Sequence, residues 1–338
     1  MSPPPTAGSG ASARSVTQAR TGLPPRLTRA VNPLAIALVV LCVLLGVFSD
    51  KFLTVDNLVN VMRASSVALI VAVGQTFVMT SRNIDLSVGA MMALIMALTG
   101  TVIFELDIPW WVALAMAMTL GAALGLFNGF VVTVLKVPAL LATLGTLVFF
   151  RGVVQEYMYG SYHVRFPSDI VFLGQGRIEG IPLPVLIAGG VAIVGWLLLS
   201  QTRFGRYTTA IGGNPEAAER AGIRTGRWIV LVFVFQGMLV GLAGVVLMGR
   251  LDAAQPTVGT GLELAVIAGV VLGGTSLFGG RGLIGGTILG VLLIGVLENG
   301  LLLAGAGFFW QQIMLGLLII GAVSFQMWRY RRGENRQG

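Results

Sequence analysis

The sequence predicts an all-α integral membrane protein of about ten transmembrane helices, and three observations carry that prediction. Hydrophobic residues make up 55% of the 338-residue chain and charged residues only 11%, against roughly a quarter charged in soluble domains. Apolar runs of the length a helix needs to cross about 30 Å of hydrocarbon recur along the chain. The basic residues, which bring the formal net charge to +8, gather in a few intervals between those runs.

Taken in order, residues 1–33 are rich in Pro, Ser, Ala and Arg and lack the apolar centre of a signal peptide, so they read as a disordered cytoplasmic leader. Residues 34–328 form the polytopic membrane domain, and residues 329–338 a basic cytoplasmic tail. Expected spans are Leu34–Ser49, Leu58–Thr80, Val88–Phe104, Trp111–Thr133, Pro138–Gln155, Pro184–Leu199, Trp228–Gly249, Leu262–Ser276, Leu283–Leu303 and Phe309–Trp328. An even number of crossings puts Arg14, Arg20, Arg26 and Arg29 on the same side as Lys136, the Arg203–Arg227 interval, Arg281 and the Arg329–Arg336 tail. The opposite loops hold Asp50, Asp56, Glu105, Asp107, Asp169, Glu179 and Asp252. That asymmetry is the one the positive-inside rule expects, with both termini cytoplasmic. Basic residues placed beside spans report orientation, so a nucleic-acid partner is not expected.

Small residues recur at helix-packing spacing in Gly121/Gly125/Gly129, Gly237/Gly241, Gly269/Gly273 and Gly286/Gly290. In lipid such spacing lets helices approach closely, and it says nothing of cargo. The outer loop Glu156–Leu183, with Tyr157, Tyr159, Tyr162 and Phe166, is expected to fold partly back at the interface.

Several chemistries find no support. Cys42 is the single cysteine and His163 the single histidine, so neither a disulfide, a metal cluster nor a His-based triad is expected. Lys51 and Lys136 are the only lysines, and no G-x-x-x-x-G-K-[ST] motif occurs, so the chain is not expected to hydrolyse ATP by P-loop chemistry. Gly280-Arg281-Gly282-Leu283-Ile284-Gly285 fits G-x-G-x-x-G but joins two apolar spans, so it reads as a tight turn with packing glycines.

Two polar stretches stand out. In Gly213-Asn214-Pro215-Glu216-Ala217-Ala218-Glu219-Arg220-Ala221-Gly222, Asn214 is a good N-cap and Pro215 suits the first helical position. Glu216 and Glu219 favour the positive end of the helix, and Gly222 can close it. The expected product is a surface helix of about two turns with Ala217, Ala218, Ala221 and Ile223 on a small apolar face. On physics alone it is either a docking knob or an idle capped helix. The second stretch, Asn83-Ile84-Asp85-Leu86-Ser87-Val88-Gly89, can cap the third span through Asp85 and Ser87, while Arg82 either pairs with Asp85 or faces the cytoplasm. Arg250-Leu251-Asp252 holds the corresponding place between spans seven and eight, so spans two to five and seven to ten read as an inverted repeat.

Within the apolar spans sit Gln75, Asn128, Gln236, Glu298 and Asn299, as candidate pathway or gating residues together with Asn83, Asp85 and Ser87. Uncharged amides as a set suit a neutral, hydroxyl-rich cargo, although any single one of them reads first as interhelical glue. Glu298 is the main buried acid in this reading, which leaves little for an ion-driven carrier to work with.

Three stretches, Asn83–Gly89, Ala210–Ala218 and Gly273–Gly280, stand in an order and spacing that resembles the permease subunits of ribose/xylose/galactose-type bacterial ABC sugar importers. The likeness covers roughly Leu34 to Arg329. It implies a permease of the bacterial inner membrane, dimeric (a homodimer or a related heterodimer), with its pathway along the subunit interface. The implied partners are a cytoplasmic ABC ATPase that carries the ATP and Mg, and an extracytoplasmic sugar-binding protein; this chain would bind no cofactor itself. The stretch around Asn214–Ile223 would then be the helix that couples to the ATPase. Related permeases carry branched-chain amino acids or nucleosides, so the cargo does not follow from the fold.

Overall fold

The computed structural model describes residues 27–334. Its helices are α1 (Leu27–Phe48), α2 (Val55–Thr80), α3 (Val88–Leu106), α4 (Trp110–Thr133), α5 (Ala139–Met158), α6 (Ser168–Gln175), α7 (Leu183–Gln201), α8 (Arg203–Gly213), α9 (Pro215–Arg220), α10 (Thr225–Leu251), α11 (Leu262–Leu272), α12 (Ile284–Leu303) and α13 (Phe308–Glu334). Short antiparallel pairs join β1 (His163–Val164) to β4 (Ala253–Ala254), and β2 (Arg177–Ile178) to β3 (Ile181–Pro182). Most of the expected leader, and the last residues of the expected tail, lie outside the described residues.

Among the described residues seven helices, α2 to α5, α7, α10 and α12, are long and apolar enough to cross a membrane. Shorter apolar stretches occur at Pro33–Phe48, Leu262–Leu272 and Phe309–Ser324. These ten segments stand where the sequence places its spans. The eighth is shorter than expected, because the helix stops at Leu272 and Gly274 turns the chain at φ 89°. Exposed Val39, Leu126, Leu144, Phe149, Ile193 and Trp196 give the peripheral helices an apolar skin, as a lipid solvent requires.

Helix partners follow the inverted repeat. Exchanging α2 with α10, α3 with α11, α4 with α12 and α5 with α13 turns the main packing pairs among these eight helices into one another. The α4–α10 pair becomes α12–α2, α3–α5 becomes α11–α13, α10–α3 becomes α2–α11, and α3–α4 becomes α11–α12. Only α2–α10 and α3–α11 map onto themselves, so these two contacts mark the pseudo-twofold axis.

The glycine spacing is used for backbone contact. A Cβ on Gly121 would overlap the Gly237 carbonyl, and one on Gly237 would overlap that of Gly121. One turn on in each direction, Gly125 lies against the Phe233 carbonyl and Gly241 against that of Ala117. The α11–α12 pair is built the same way, Gly269 against Gly290 and Gly273 against Gly286.

Loops sort to the two ends of the bundle. At one end Gly280 N–H donates to the Thr80 carbonyl (2.9 Å), Gly212 packs on the same carbonyl, and Arg82, Lys136 and Leu277 border one cavity. This basic end therefore collects the α2–α3, α4–α5, α8–α9 and α11–α12 connections. At the opposite end α6 lies on the close of α10, with Gly174 against Arg250 and Gly249 against Ile170. The Gln175 amide donates to the Gly249 and Arg250 carbonyls at 3.3 and 3.2 Å. The outer loop thus folds back as the sequence suggests, and it gains a helix the sequence reading left out.

Replacing Gly237 with Val should separate α4 from α10, because a branched side chain has no space between touching backbones. The expected loss is about 3 kcal/mol. It should appear as a lowered thermal midpoint in detergent. Gly189→Ala, where an added Cβ meets nothing within 4 Å, should leave the midpoint in place.

Candidate functional site

At the basic end α8 and α9 form a bracket between α7 and α10. Thr202 caps α8 by accepting from Phe204 N–H (3.1 Å), and Gly205, Thr208, Ile211 and Gly212 fall on its buried face. That face has helical spacing within a polar interval, yet the sequence reading gives the interval only one helix. Phe204 is gripped by aromatic rings, 5.3 Å from Phe77 of α2 and 5.8 Å from Phe235 of α10. Tyr207 meets Trp228 edge-on at 4.9 Å.

α9 has the expected local chemistry. Asn214 Oδ1 accepts from Ala217 N–H at 2.9 Å, Pro215 opens the helix, and Gly222 follows its end at φ 84°. Glu219 accepts from the Thr225 hydroxyl at 2.8 Å, which fixes α9 to the start of α10. The apolar face divides differently from the expectation. Ala218 turns into the protein, while Gly213, Asn214, Glu216, Ala217, Arg220, Ala221 and Gly222 are exposed. The free surface of α9 is therefore more polar than a helical wheel suggests, because α8 and α10 take up Ala218.

The second site surrounds the start of α3. Asp85 is fully buried, and its Oδ1 accepts from Ser87 N–H (2.8 Å) and the Ser87 hydroxyl (2.6 Å). Asn128 of α4, also fully buried, donates to the Ser87 hydroxyl at 2.8 Å. Asp85 Oδ2 and Asn128 Oδ1 have no hydrogen-bond partner among the described residues. Of the two roles open to Arg82, the structure selects the outward one: Arg82 is exposed at the basic end. Asn83 stands apart from the cluster and bonds back to Ser81, at 2.9 Å to its carbonyl and 3.0 Å to its hydroxyl.

The remaining polar candidates divide. Gln75 of α2 and Gln236 of α10 are fully buried, with both amide atoms of each unpartnered among the described residues. The Gln236 side chain lies over Gly74, at the α2–α10 contact on the pseudo-axis. Asn299 instead forms a reciprocal amide pair with Asn57 (2.8 and 2.9 Å) that ties α12 to α2, as interhelical glue does. Glu298, next to it, is only partly buried.

Two charged residues that the sequence reading passes over complete the picture. Arg151 of α5 donates to the carbonyls of Pro256 (2.6 Å) and Val258 (3.0 Å), in the stretch that leads into α11. Glu263, in the first turn of α11, accepts from Gly261 N–H at 3.2 Å, and its buried Oε2 lies close to Gly89 of α3. The starts of α3 and α11 thus meet, with Gly89 against the Gly259 carbonyl. Glu298 is not the main buried acid, since Asp85 is fully buried while Glu298 and Glu263 are each only partly so, Glu263 with its Oε2 atom buried at this junction. A charge inside an apolar run was the available signal for both residues.

A family model described as the permease component of the branched-chain amino acid transport system matches residues 57–323. The chain belongs to this permease family. The permease is 42% identical to the ribose import permease protein of Escherichia coli K12 over 292 residues, 85% of this chain and 91% of that protein. It is 41% identical to the ribose import permease protein of Bacillus subtilis 168 over 290 residues, 85% and 90% of the two chains. The L-arabinose transport system permease protein of Escherichia coli K12 is 34% identical over 297 residues, 88% and 90%. No solved structure matches the chain. As a permease component the chain serves transport and is not an enzyme.

Arg151→Gln should release the Pro256 and Val258 carbonyls. Bonds of this charged kind contribute about 2 kcal/mol each, so the loss should be clear in the thermal midpoint. Amide hydrogen exchange across residues 253–261 should rise with it, and unchanged protection there would remove the clamp assigned to Arg151. Thr143→Val, which takes away a neutral hydroxyl, should cost about 1 kcal/mol.

Proposed function

We propose that the permease forms the transmembrane pathway of an ATP-binding-cassette importer for a monosaccharide of the ribose type. The observation that carries this reading is the 42% identity to a ribose import permease, which extends over 91% of that protein. Relatives for allose and arabinose, 35% and 34% identical, support a sugar over the amino acid of the family description. The chemistry agrees, since Gln75, Gln236 and Asn128 offer amides that bond hydroxyl groups without fixing a charge.

On this reading the permease lies in the bacterial inner membrane with its basic end and both termini in the cytoplasm. A cytoplasmic ATPase chain holds ATP and Mg, a binding protein delivers the sugar on the other side, and a second permease copy completes the pathway. The exposed part of α9, with Glu216, Ala217 and Arg220, docks in the ATPase. Closure of the ATPase then moves α9, and through α8 it moves the ends of α2 and α10. The buried groups Gln75, Asp85, Ser87, Asn128 and Gln236, with Asn83 and Glu298 nearer the surface, are the set from which the pathway and its gate are drawn.

Uptake of radiolabelled ribose into cells that hold the whole importer tests both parts. The wild type should accumulate ribose and not leucine in an ATP-dependent manner. Glu216→Lys and Pro215→Gly should reduce uptake at least tenfold at wild-type membrane levels, and the ATPase should no longer co-purify. Normal uptake in both variants would end the coupling role of α9. Leucine uptake without ribose uptake would transfer the permease to amino acid transport.

A further inference from the structure

A cavity of about 510 Å³ opens at the basic end, between the α2–α3 connection, the end of α4 and the start of α5. Arg82, Asn83, Lys136 and Pro138 line it, together with Leu277 of the α11–α12 connection. Among the described residues no acidic one lines it. Arg82 and Lys136 are exposed, and among the described residues neither side chain has a hydrogen-bond or ion-pair partner in the structure. Two cations left facing one concavity raise its potential and favour an anion there.

The surroundings identify the kind of anion. Val134, Leu135, Leu140 and Leu141, beside the cavity and on its rim, are 58%, 59%, 49% and 59% exposed. A soluble anion gains nothing from such a collar. An amphiphile gains twice, with its phosphate between the cations and its acyl chains along the collar. Basic pockets between helices on the cytoplasmic side are the setting in which acidic headgroups are held. The start of α5 adds to this, since Pro138 offers its first N–H groups no side-chain cap.

We propose that this cavity binds the phosphate headgroup of an anionic phospholipid, with Arg82 and Lys136 as its cationic contacts. The proposal rests on the reading above only in placing the basic end at the cytoplasmic leaflet. Asn83 and Ile84 border the cavity and lead directly into Asp85. A bound headgroup therefore steadies the chain that carries the buried Asp85–Ser87–Asn128 cluster.

The test uses the purified full chain in nanodiscs of phosphatidylethanolamine mixed with phosphatidylglycerol. Lipids retained on release are counted by native mass spectrometry. The wild type should retain phosphatidylglycerol above its share of the bilayer. The double variant Arg82→Gln, Lys136→Gln should lose that preference roughly tenfold, while Arg206→Gln, a charge removed from exposed α8, should keep it. Equal retention by the double variant would overturn the proposal. Displacement of the lipid by inorganic phosphate alone would reassign the cavity to a free anion and overturn the lipid source. Should the double variant not fold, Lys136→Gln alone carries the same two outcomes with an expected loss of roughly threefold. The readout needs no transport, so lipid retention without ribose uptake would leave this site standing and sink the functional reading.

Discussion

Backbone that leaves the helix at membrane depth must find its hydrogen bonds inside the protein, and the architecture is arranged around two such stretches. Ala254 packs beside Gly100 of α3, and Gly259 beside Gly89, so the chain between them descends along α3 by eleven helical residues, about 16 Å. α11 therefore starts deep and needs only eleven residues to reach the basic end. Residues 82–87 make the converse journey before α3. One helix serves both stretches. Thr143 of α5 accepts from Leu86 N–H and donates toward the Ile84 carbonyl, each at 3.1 Å, while Arg151 holds the Pro256 and Val258 carbonyls. Two helix starts meeting at the pseudo-axis, with carboxylates beside them, follow from this arrangement.

Around that junction the structure contains two kinds of helix contact. The α4–α10 and α11–α12 pairs touch through backbone at their facing glycines. The α2–α10 contact is different, since it buries the Gln236 amide over Gly74, and Gln75 lies beside it in the chain. A buried amide without partners costs about 1–3 kcal/mol for each lost bond. The Phe77 and Phe235 rings meet edge-on at 5.1 Å across the same contact, so the α2–α10 seam combines apolar packing with buried amides.

Composition, run length and charge placement made the ten apolar segments and the two-ended sorting of loops legible, because lipid imposes the same requirement at every position. The glycine pairs were legible as packing sites, although not which helix each would meet. The Asn214 cap was legible because its chemistry is local. What escaped depended on contacts distant in sequence. α8 was passed over although its buried face has helical spacing, because the rings that hold its Phe204, Phe77 and Phe235, come from distant parts of the chain. Arg151 has no visible role until the chain 105 residues later lies across it. Asn299 could be read as pathway or glue until Asn57 faced it, 242 residues away.

One contact at the basic end has a mechanical meaning. Gly212 of α8, the Thr80 carbonyl of α2 and Gly280 of the α11–α12 connection meet as main chain on main chain. Side chains can absorb a small displacement by changing rotamer, and main chain cannot. A shift at the end of α8 is therefore delivered without slack to both halves of the repeat at once. The joint works as a rigid clutch, and its stiffness comes from residues too small to yield.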